Sequence, residues 1–525
     1  MSLLGPMLLT HTVAAMLGTE PPGGPQQVQV EPSETRYVEA RYLETVIRGR
    51  PWVPHKRVAT IVKGTRLVVR GEVPSRDDEG CQGKIWYAVW PFGYVCSRHV
   101  RPSEQPPETT VALPVAKGKR LPHAYALVRR DGAPSYANAD AAEADIPERP
   151  LTRGMSLVIA RGVDIGERRF VQTSAGKLVP REDVGYMGQG SAWNGVDLDA
   201  DRPGPLLGWV RKNKTPVRAD ASREATVVRT VDLRQRVPLL EPSSASVRPL
   251  WWRVGEGEWI AADALNEVHI VEPPLAVLSD YRVHTTGNDQ WFDVDVGEQV
   301  LVAYRGQTAQ YATLVSSGRG SPTPLGNYPV WAKVASMDMA NQEYEDKPYM
   351  VQGVPWVLLF QGHNALHGAY WHDRFGNRKS HGCVNLAPLD ARWIFEWAGP
   401  RLPKGWTGYL PSDLQHSPVV HVRDSSKGHG ASFTQQRPPG PPDREAERAK
   451  VEAAERRRAE LAEARALQQD EPVDGWESLA DEEAPRIEAP PRIERPSRLE
   501  RPSRLERPSR LERVPQIEAP PPRDG

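Results

Sequence analysis

Three times before residue 272 the chain repeats one pattern: a short apolar run, a break at Gly, Pro or Asp, then a pair of short runs around a turn. The leading runs are Gly64-Thr65-Arg66-Leu67-Val68-Val69, Gly154-Met155-Ser156-Leu157-Val158-Ile159 and Leu233-Arg234-Gln235-Arg236-Val237-Pro238-Leu239. The pairs that follow are Trp86-Tyr87-Ala88-Val89 with Gly93-Tyr94-Val95, Arg169-Phe170-Val171 with Gly176-Lys177-Leu178-Val179, and Trp252-Arg253-Val254 with Trp259-Ile260. Runs this short, closed by turn residues, read as half-buried strands and predict small β-barrels of roughly 65 to 75 residues each. Sixteen tryptophans and fifteen tyrosines against seven phenylalanines point the same way, because amphipathic aromatic rings suit pleated, half-buried surfaces. Fifty-one prolines assign much of the remainder to linker.

The 525 residues are too many for one ordinary core. The 67 basic and 67 acidic residues balance, so no electrostatic case for a nucleic-acid partner exists. No apolar run approaches the ~18 residues of a membrane-spanning helix, and no transmembrane segment is expected. Residues 1–33 read as a signal-like or disordered N-terminus: Met7-Leu8-Leu9 and Val13-Ala14-Ala15-Met16-Leu17 are apolar, but no Lys or Arg precedes Arg36. Beyond residue 422 the composition changes. Residues 443–469 are dense in Ala, Glu and Arg and predict a solvated single helix. Arg495-Pro496-Ser497-Arg498-Leu499-Glu500 then recurs at Arg501 and largely at Arg507, and proline at that spacing forbids a continuous helix. The rest of 423–525 is therefore expected to be a disordered, charged tail.

The chemistry concentrates between His367 and Cys383, sixteen positions apart, the second inside Ser380-His381-Gly382-Cys383-Val384-Asn385. A free thiol has a pKa near ~8.5, so a nucleophilic cysteine needs a base within hydrogen-bond reach. His367 is the candidate base. The polar, glycine-containing stretch from Asp373 to Lys379 lets the chain double back. His381 and Gly382 suit a turn whose backbone N–H groups face a developing oxyanion. Tyr370 and Trp371, beside the histidine, are expected to touch substrate. Trp356-Val357-Leu358-Leu359-Phe360 reads as a buried strand delivering His363 and His367 into a loop. From Ala387 to Trp397, Pro388 near the start and apolar Leu389, Trp393, Ile394 and Trp397 predict a helix with one buried face. Its N-terminus, just after the nucleophile, would favour a thiolate. A zinc site on His363, His367, His372, His381 and Cys383 is the competing reading, but no Glu follows His363, so the hydrolytic zinc motif lacks its base. No metal is expected. Cys81 and Cys96 lie in one β-rich segment and are either a disulfide or two buried thiols; a bridge would require an oxidising compartment.

The run from His367 to Asn385 resembles the YkuD-type L,D-transpeptidase signature, a His-Gly followed by Ser-His-Gly-Cys-x-(Arg/Asn). The likeness extends upstream through Trp291-Phe292-Asp293-Val294-Asp295, Gln299-Val300-Leu301-Val302-Ala303-Tyr304, Val315-Ser316-Ser317-Gly318 and Thr323-Pro324-Leu325-Gly326-Asn327-Tyr328, which places a catalytic domain at 276–422. The resemblance implies that Cys383 is the nucleophile and His367 its proton acceptor and donor. It also implies that Ser380, His381, Gly382 and Asn385 shape the site and that the Gly368 carbonyl orients the His367 ring. Asn385 stands where arginine is also common. The upstream repeats resemble bacterial SH3-like modules at 34–106 and 205–272, and more loosely at 118–190. The implied fold is mainly β: several small SH3-like β-barrels, then a β-rich YkuD-type catalytic domain.

The implied reaction is peptidoglycan L,D-transpeptidation. Cys383 would attack the carbonyl of the third residue of a tetrapeptide stem and release D-alanine. A second stem's amine, water, or a lysine on a wall-linked envelope protein would resolve the thioester. No cofactor is required. The modules would bind wall peptides or act as spacers, and the substrate places the protein in the cell envelope, in the periplasm. Two alternatives stand beside this: a carboxypeptidase or endopeptidase using the same Cys/His site, and an inactive wall-binding scaffold.

Overall fold

Alternation of side chains along the first strands fixes which residues face inward: Tyr37–Ala40 buries Val38 and Ala40, and Glu44–Arg48 buries Thr45 and Ile47. The computed structural model describes residues 31–469 apart from 53–55, 76–80, 83, 149, 201–203, 247–248, 275–288, 320–321, 341–349 and 429–434, with backbone alone at 416, 458 and 461–469. The N-terminal stretch 1–30 and the proline repeats of 470–525 lie outside the described residues.

The protein is mainly β. Its first group of strands runs from Tyr37 to Ser103, with Tyr37–Ala40 pairing antiparallel to both Arg66–Pro74 and Val100–Ser103. A disulfide joins Cys81 to Cys96, their Cα atoms 5.5 Å apart, which resolves the two alternatives the sequence left open. A second group runs from Ala124 to Tyr186 and a third from Gly204 to Ile270. The third group forms a three-stranded and a five-stranded sheet in its described pairings. One expected strand is shorter than the sequence implies. Leu233 and Arg234 occupy a turn closed by Gln235 N–H to the Asp232 carbonyl at 3.0 Å, and the strand begins only at Arg236. Arg234 takes a left-handed φ of 63° there, which strand pairing cannot accommodate.

Two further sheets carry the C-terminal region. The first has the order Val196–Ala200, Thr308–Leu314, Val300–Arg305, Gln290–Asp295, Val419–Arg423, Gly326–Pro329. Its edge strand, Val196–Ala200, comes from between the second and third upstream groups and pairs Val196 with Ala312. Glycine is required at its entry, since a Cβ on Gly195 would lie 2.2 Å from the Ala312 carbonyl oxygen. The second sheet holds Ala332–Ala340, Met350–Gln361, Asn364–Gly368, Val384–Leu386 and Trp406–Tyr409, and it continues into the upstream groups through Ala59 opposite Tyr409 and Ser156 opposite Val351.

The helix Pro388–Trp397 packs on this sheet: of the expected stripe Ile394 is buried and Leu389, Trp393 and Trp397 are half-buried, with Asp390, Ala391 and Phe395 buried beside them. The Asp390 carboxylate accepts from Tyr311 Oη at 2.7 Å, Thr313 Oγ1 at 2.5 Å and the Gly195 N–H at 2.8 Å. Lys333 closes the other end of the helix by donating to the carbonyls of Phe395 at 2.6 Å, Ala398, and Pro400 at 2.9 Å. A later helix, Arg444–Gln469, is capped by Asp443 Oδ1, which accepts from the Glu445 and Ala446 N–H groups. Among the described residues no helix is long and apolar enough to cross a membrane.

Parallel pairing of Gln290–Asp295 with Val419–Arg423 ties the first strand after residue 289 to the last strand before the tail. At its end Arg423 is buried between two carboxylates, donating Nε and Nη2 to Asp293 at 2.9 to 3.0 Å, with Nη1 2.8 Å from Asp295 Oδ2. Removing one partner of such a group leaves uncompensated buried charge, which costs about 3–5 kcal/mol. Arg423→Ala should therefore lower the urea midpoint of the intact protein, followed by tryptophan fluorescence. An unchanged midpoint would show that this ion pair does not hold the strands together.

Candidate active site

Met350–Gln361 turns at Gly362 and His363 into Asn364–Gly368, with Leu358 opposite Leu366 and Leu359 opposite Ala365. His367 therefore lies within a strand, not in the loop that the sequence pattern predicts. The next pairing is parallel: Leu366 faces Val384, His367 faces Asn385 and Gly368 faces Leu386. Parallel neighbours cannot be joined by a tight turn, so the stretch from 369 to 383 crosses over between them. Residues opposite one another share a face, and faces alternate along each strand. Cys383 lies in the bend one residue before this strand begins at Val384. Its Sγ lies 3.6 Å from the His363 carbonyl, and the Ala365 backbone bonds to it from the neighbouring strand.

The electrostatics of the pair differ from the expected thiolate. Burial pushes the Cys383 thiol up to about 11, against the smaller effect of the Ala365 bond. Burial also lowers His367 to about 4, against its bond to the Gly368 carbonyl. The strand Val384–Leu386 separates the cysteine from the helix that starts at Pro388, so the helix N-terminus is too far along the chain to offset desolvation. At neutral pH the pair rests as thiol and neutral imidazole. His367 Nδ1 sits 3.2 Å from the Gly368 carbonyl; as the donor in that bond it leaves Nε2 to accept a proton. Trp371 stacks on the same ring with centroids 5.9 Å apart.

Local bonds shape the turn before the cysteine. Ser380 Oγ donates to the Cys383 carbonyl and accepts from the Gly382 N–H at 3.1 Å. The Gly382 N–H therefore closes the turn, which corrects its expected place as an oxyanion donor. Gly382 adopts φ 138°, and its carbonyl accepts from Thr323 Oγ1 at 2.7 Å. His381 is exposed on the outside of this turn. Asn385 exchanges backbone bonds with Ser316 at 2.9 Å in both directions, and its side-chain amide lies 2.9 Å from His372 Nε2. Burial lowers His372 to about 4, so that ring is neutral as well. Its Nδ1 accepts the Arg374 N–H at 3.2 Å, and its Nε2 faces Asn385 Nδ2.

The two aromatic residues expected at substrate part company. Trp371 lines the histidine, whereas Tyr370 is buried, stacked on Tyr125 at 3.7 Å and bonded through its hydroxyl to Ser156 Oγ and the Gln352 carbonyl. Tyr370 therefore fastens the site to the second strand group instead of touching a ligand. Thr323, Ser316 and Asp390 shape the site without any spacing signal in the sequence, since each acts from a distant segment.

A protein-family model described as YkuD, L,D-transpeptidase catalytic domain, matches residues 289–417. Solved structures similar to part of the chain include an L,D-transpeptidase from Mycobacterium smegmatis, at 19% identity over 26% of this chain and 58% of that one, with TM-score 0.21. Another is an L,D-transpeptidase from Stackebrandtia nassauensis, at 23% identity over 26% of this chain and 55% of that one, with TM-score 0.19. A third is the catalytic domain of the Enterococcus faecium L,D-transpeptidase solved by NMR, at 21% identity over 26% of this chain and 98% of that one, with TM-score 0.21. The chain spans little more than half the length of the first two. No curated protein matches it.

A thiol raised to about 11 and an imidazole lowered to about 4 leave a wide window in which both rest neutral. The thiolate is then a minor species reached by loss of the Sγ proton to solvent, and it grows about tenfold per pH unit below about 11. Alkylation of Cys383 by iodoacetamide should therefore climb about tenfold per pH unit between about pH 6 and about pH 9. A rate that levels off within that range would show that the thiol ionises more readily than its burial implies.

Proposed function

Residues 289–417 form a YkuD-type L,D-transpeptidase catalytic domain, and from that premise we propose that the protein is a peptidoglycan L,D-transpeptidase working through a Cys383 thioester. The observation that carries this reading is the parallel register that sets His367 opposite Asn385, two residues after Cys383. As the substrate carbonyl arrives, Sγ attacks its carbon while the proton passes to Nε2 of His367. The tetrahedral intermediate collapses by breaking the C–N bond to D-alanine, whose amine takes that proton. The thioester is then attacked by an amine, His367 accepts the amine's proton, and the sulfur leaves and recovers it. Both half-reactions use the same two atoms and need no cofactor.

The neutral resting pair suits this cycle. A thiol that rests protonated is protected from adventitious oxidants that attack thiolates, and the base is ready at any pH above about 4. The acceptor on this reading is the side-chain amine of a second stem or of an envelope protein. The Cys81–Cys96 disulfide supports an oxidising compartment such as the periplasm. The strand groups within 34–106, 118–190 and 205–272 are read as SH3-like modules that hold the catalytic domain, assigned to 276–422, at the wall.

Incubation of the intact protein with disaccharide tetrapeptide, followed by mass spectrometry, tests the proposal. The expected product is a cross-linked dimer that has lost one D-alanine, with none formed by Cys383→Ala. Tripeptide without dimer would make water the acceptor and the protein a carboxypeptidase. No product, together with no covalent carbapenem adduct on Cys383, would remove the enzymatic reading altogether.

A further inference from the structure

The crossover between His367 and Cys383 is bonded within the catalytic domain to Val296, Val315, Ser316 and Ser317, and it is also held from outside by one residue of the third strand group. Arg234 donates Nη1 to Asp373 Oδ1 at 2.8 Å and Nη2 to the Asp373 carbonyl at 2.7 Å, across a sequence separation of 139. Ser191 Oγ donates to the same Asp373 oxygen at 2.5 Å, and the Arg234 guanidinium lies over the Trp193 ring at 5.5 Å. Trp193 is fixed in turn by its Nε1, which donates to Thr313 Oγ1 at 2.9 Å. A second tether from the same strand group lies three residues on, where Asn266 Nδ2 donates to the Gly376 carbonyl at 3.1 Å.

Asp373 directly follows the residues that line the reacting pair. Trp371 stacks on His367, and His372 reaches the Asn385 amide opposite that histidine. An arginine fork bound to one carboxylate oxygen and the adjoining carbonyl fixes both the position and the orientation of residue 373. It thereby fixes the entry angle of the chain at 371 and 372. Backbone conformation supplies an independent reason to look here. Arg234 has φ 63°, a region that Gly or Asn occupies at lower cost, and such outliers gather where surrounding contacts over-determine them. Its side chain is only 15% exposed although it sits in a turn, so the guanidinium points into the protein at Asp373.

We propose that Arg234 is a positioning residue for the Cys383–His367 reaction, setting the Trp371–His372 wall through Asp373. The proposal rests on the reading that these two residues are the reacting pair. It makes the third strand group part of the catalytic apparatus, with its own bearing on rate rather than on wall attachment alone. Misplacement of a reacting group by a fraction of an ångström to an ångström costs about ten- to a hundredfold in rate.

Arg234→Asn is the informative variant, because asparagine accepts the left-handed backbone while the guanidinium is lost. In the full-length protein, the rate constant for Cys383 acylation by a carbapenem should fall about tenfold, with the concentration dependence little changed and the unfolding midpoint equal or higher. Asp373→Asn should fall similarly, and the double variant should be no slower than the slower single one, as expected for two ends of one contact. Arg253→Ala, which breaks an exposed pair with Glu241 in the same strand group, should leave the rate unchanged. Alkylation of Cys383 by iodoacetamide needs no wall chemistry, so it decides the matter even if the protein acylates with no β-lactam or stem peptide. There the alkylation rate at a fixed pH should fall in Arg234→Asn and Asp373→Asn alike. Acylation within about twofold of the parent with an unaltered alkylation rate, or losses that multiply in the double variant, would overturn the proposal.

Discussion

The site depends on one parallel register, Leu366 with Val384 and His367 with Asn385. Pleated strands alternate faces with a period of two, so a slip of one residue would send either His367 or Asn385 to the opposite side of the sheet. The register is fixed from both flanks. Asn364–Gly368 is pinned by its hairpin with Met350–Gln361, and Asn385 is pinned by its two-way bond to Ser316 in the other sheet. The cysteine's own turn is fixed by Ser380 and Thr323.

Given that frame, burial rather than helix electrostatics sets the resting protonation. The helix N-terminus begins beyond an intervening strand, and its field weakens within a turn. Desolvation acts on Cys383 and His367 directly, and in opposite directions on their pKa values, because in each case it disfavours the charged form. Both groups are therefore neutral at rest near pH 7.

The upstream chain is structural to this arrangement as well as attached to it. Val196–Ala200 completes an edge of the first C-terminal sheet, Asp390 accepts the Gly195 N–H while anchoring the helix after the nucleophile, and Tyr370 bonds to Ser156. The catalytic region and the strand groups before it therefore share side chains at the points where the site's backbone enters and leaves. A chain cut at residue 276 would lose the edge strand, the Ser191 and Arg234 partners of Asp373, and one partner each of Tyr370 and Asp390.

The sequence by itself determined a mainly β protein, because short apolar runs between turn residues have few other solutions, and it carried the local signature of the catalytic domain around His367 and Cys383. It also marked the helix at Pro388–Trp397, where proline and apolar spacing are local signals. Only the tertiary structure decided that His367 sits in a strand, that Gly382 spends its N–H on Ser380, and that Tyr370 faces inward, since each outcome depends on partners far along the chain. The sign of the Cys383 shift was illegible for the same reason. Desolvation is a property of everything packed around an atom, and no spacing along a chain records it.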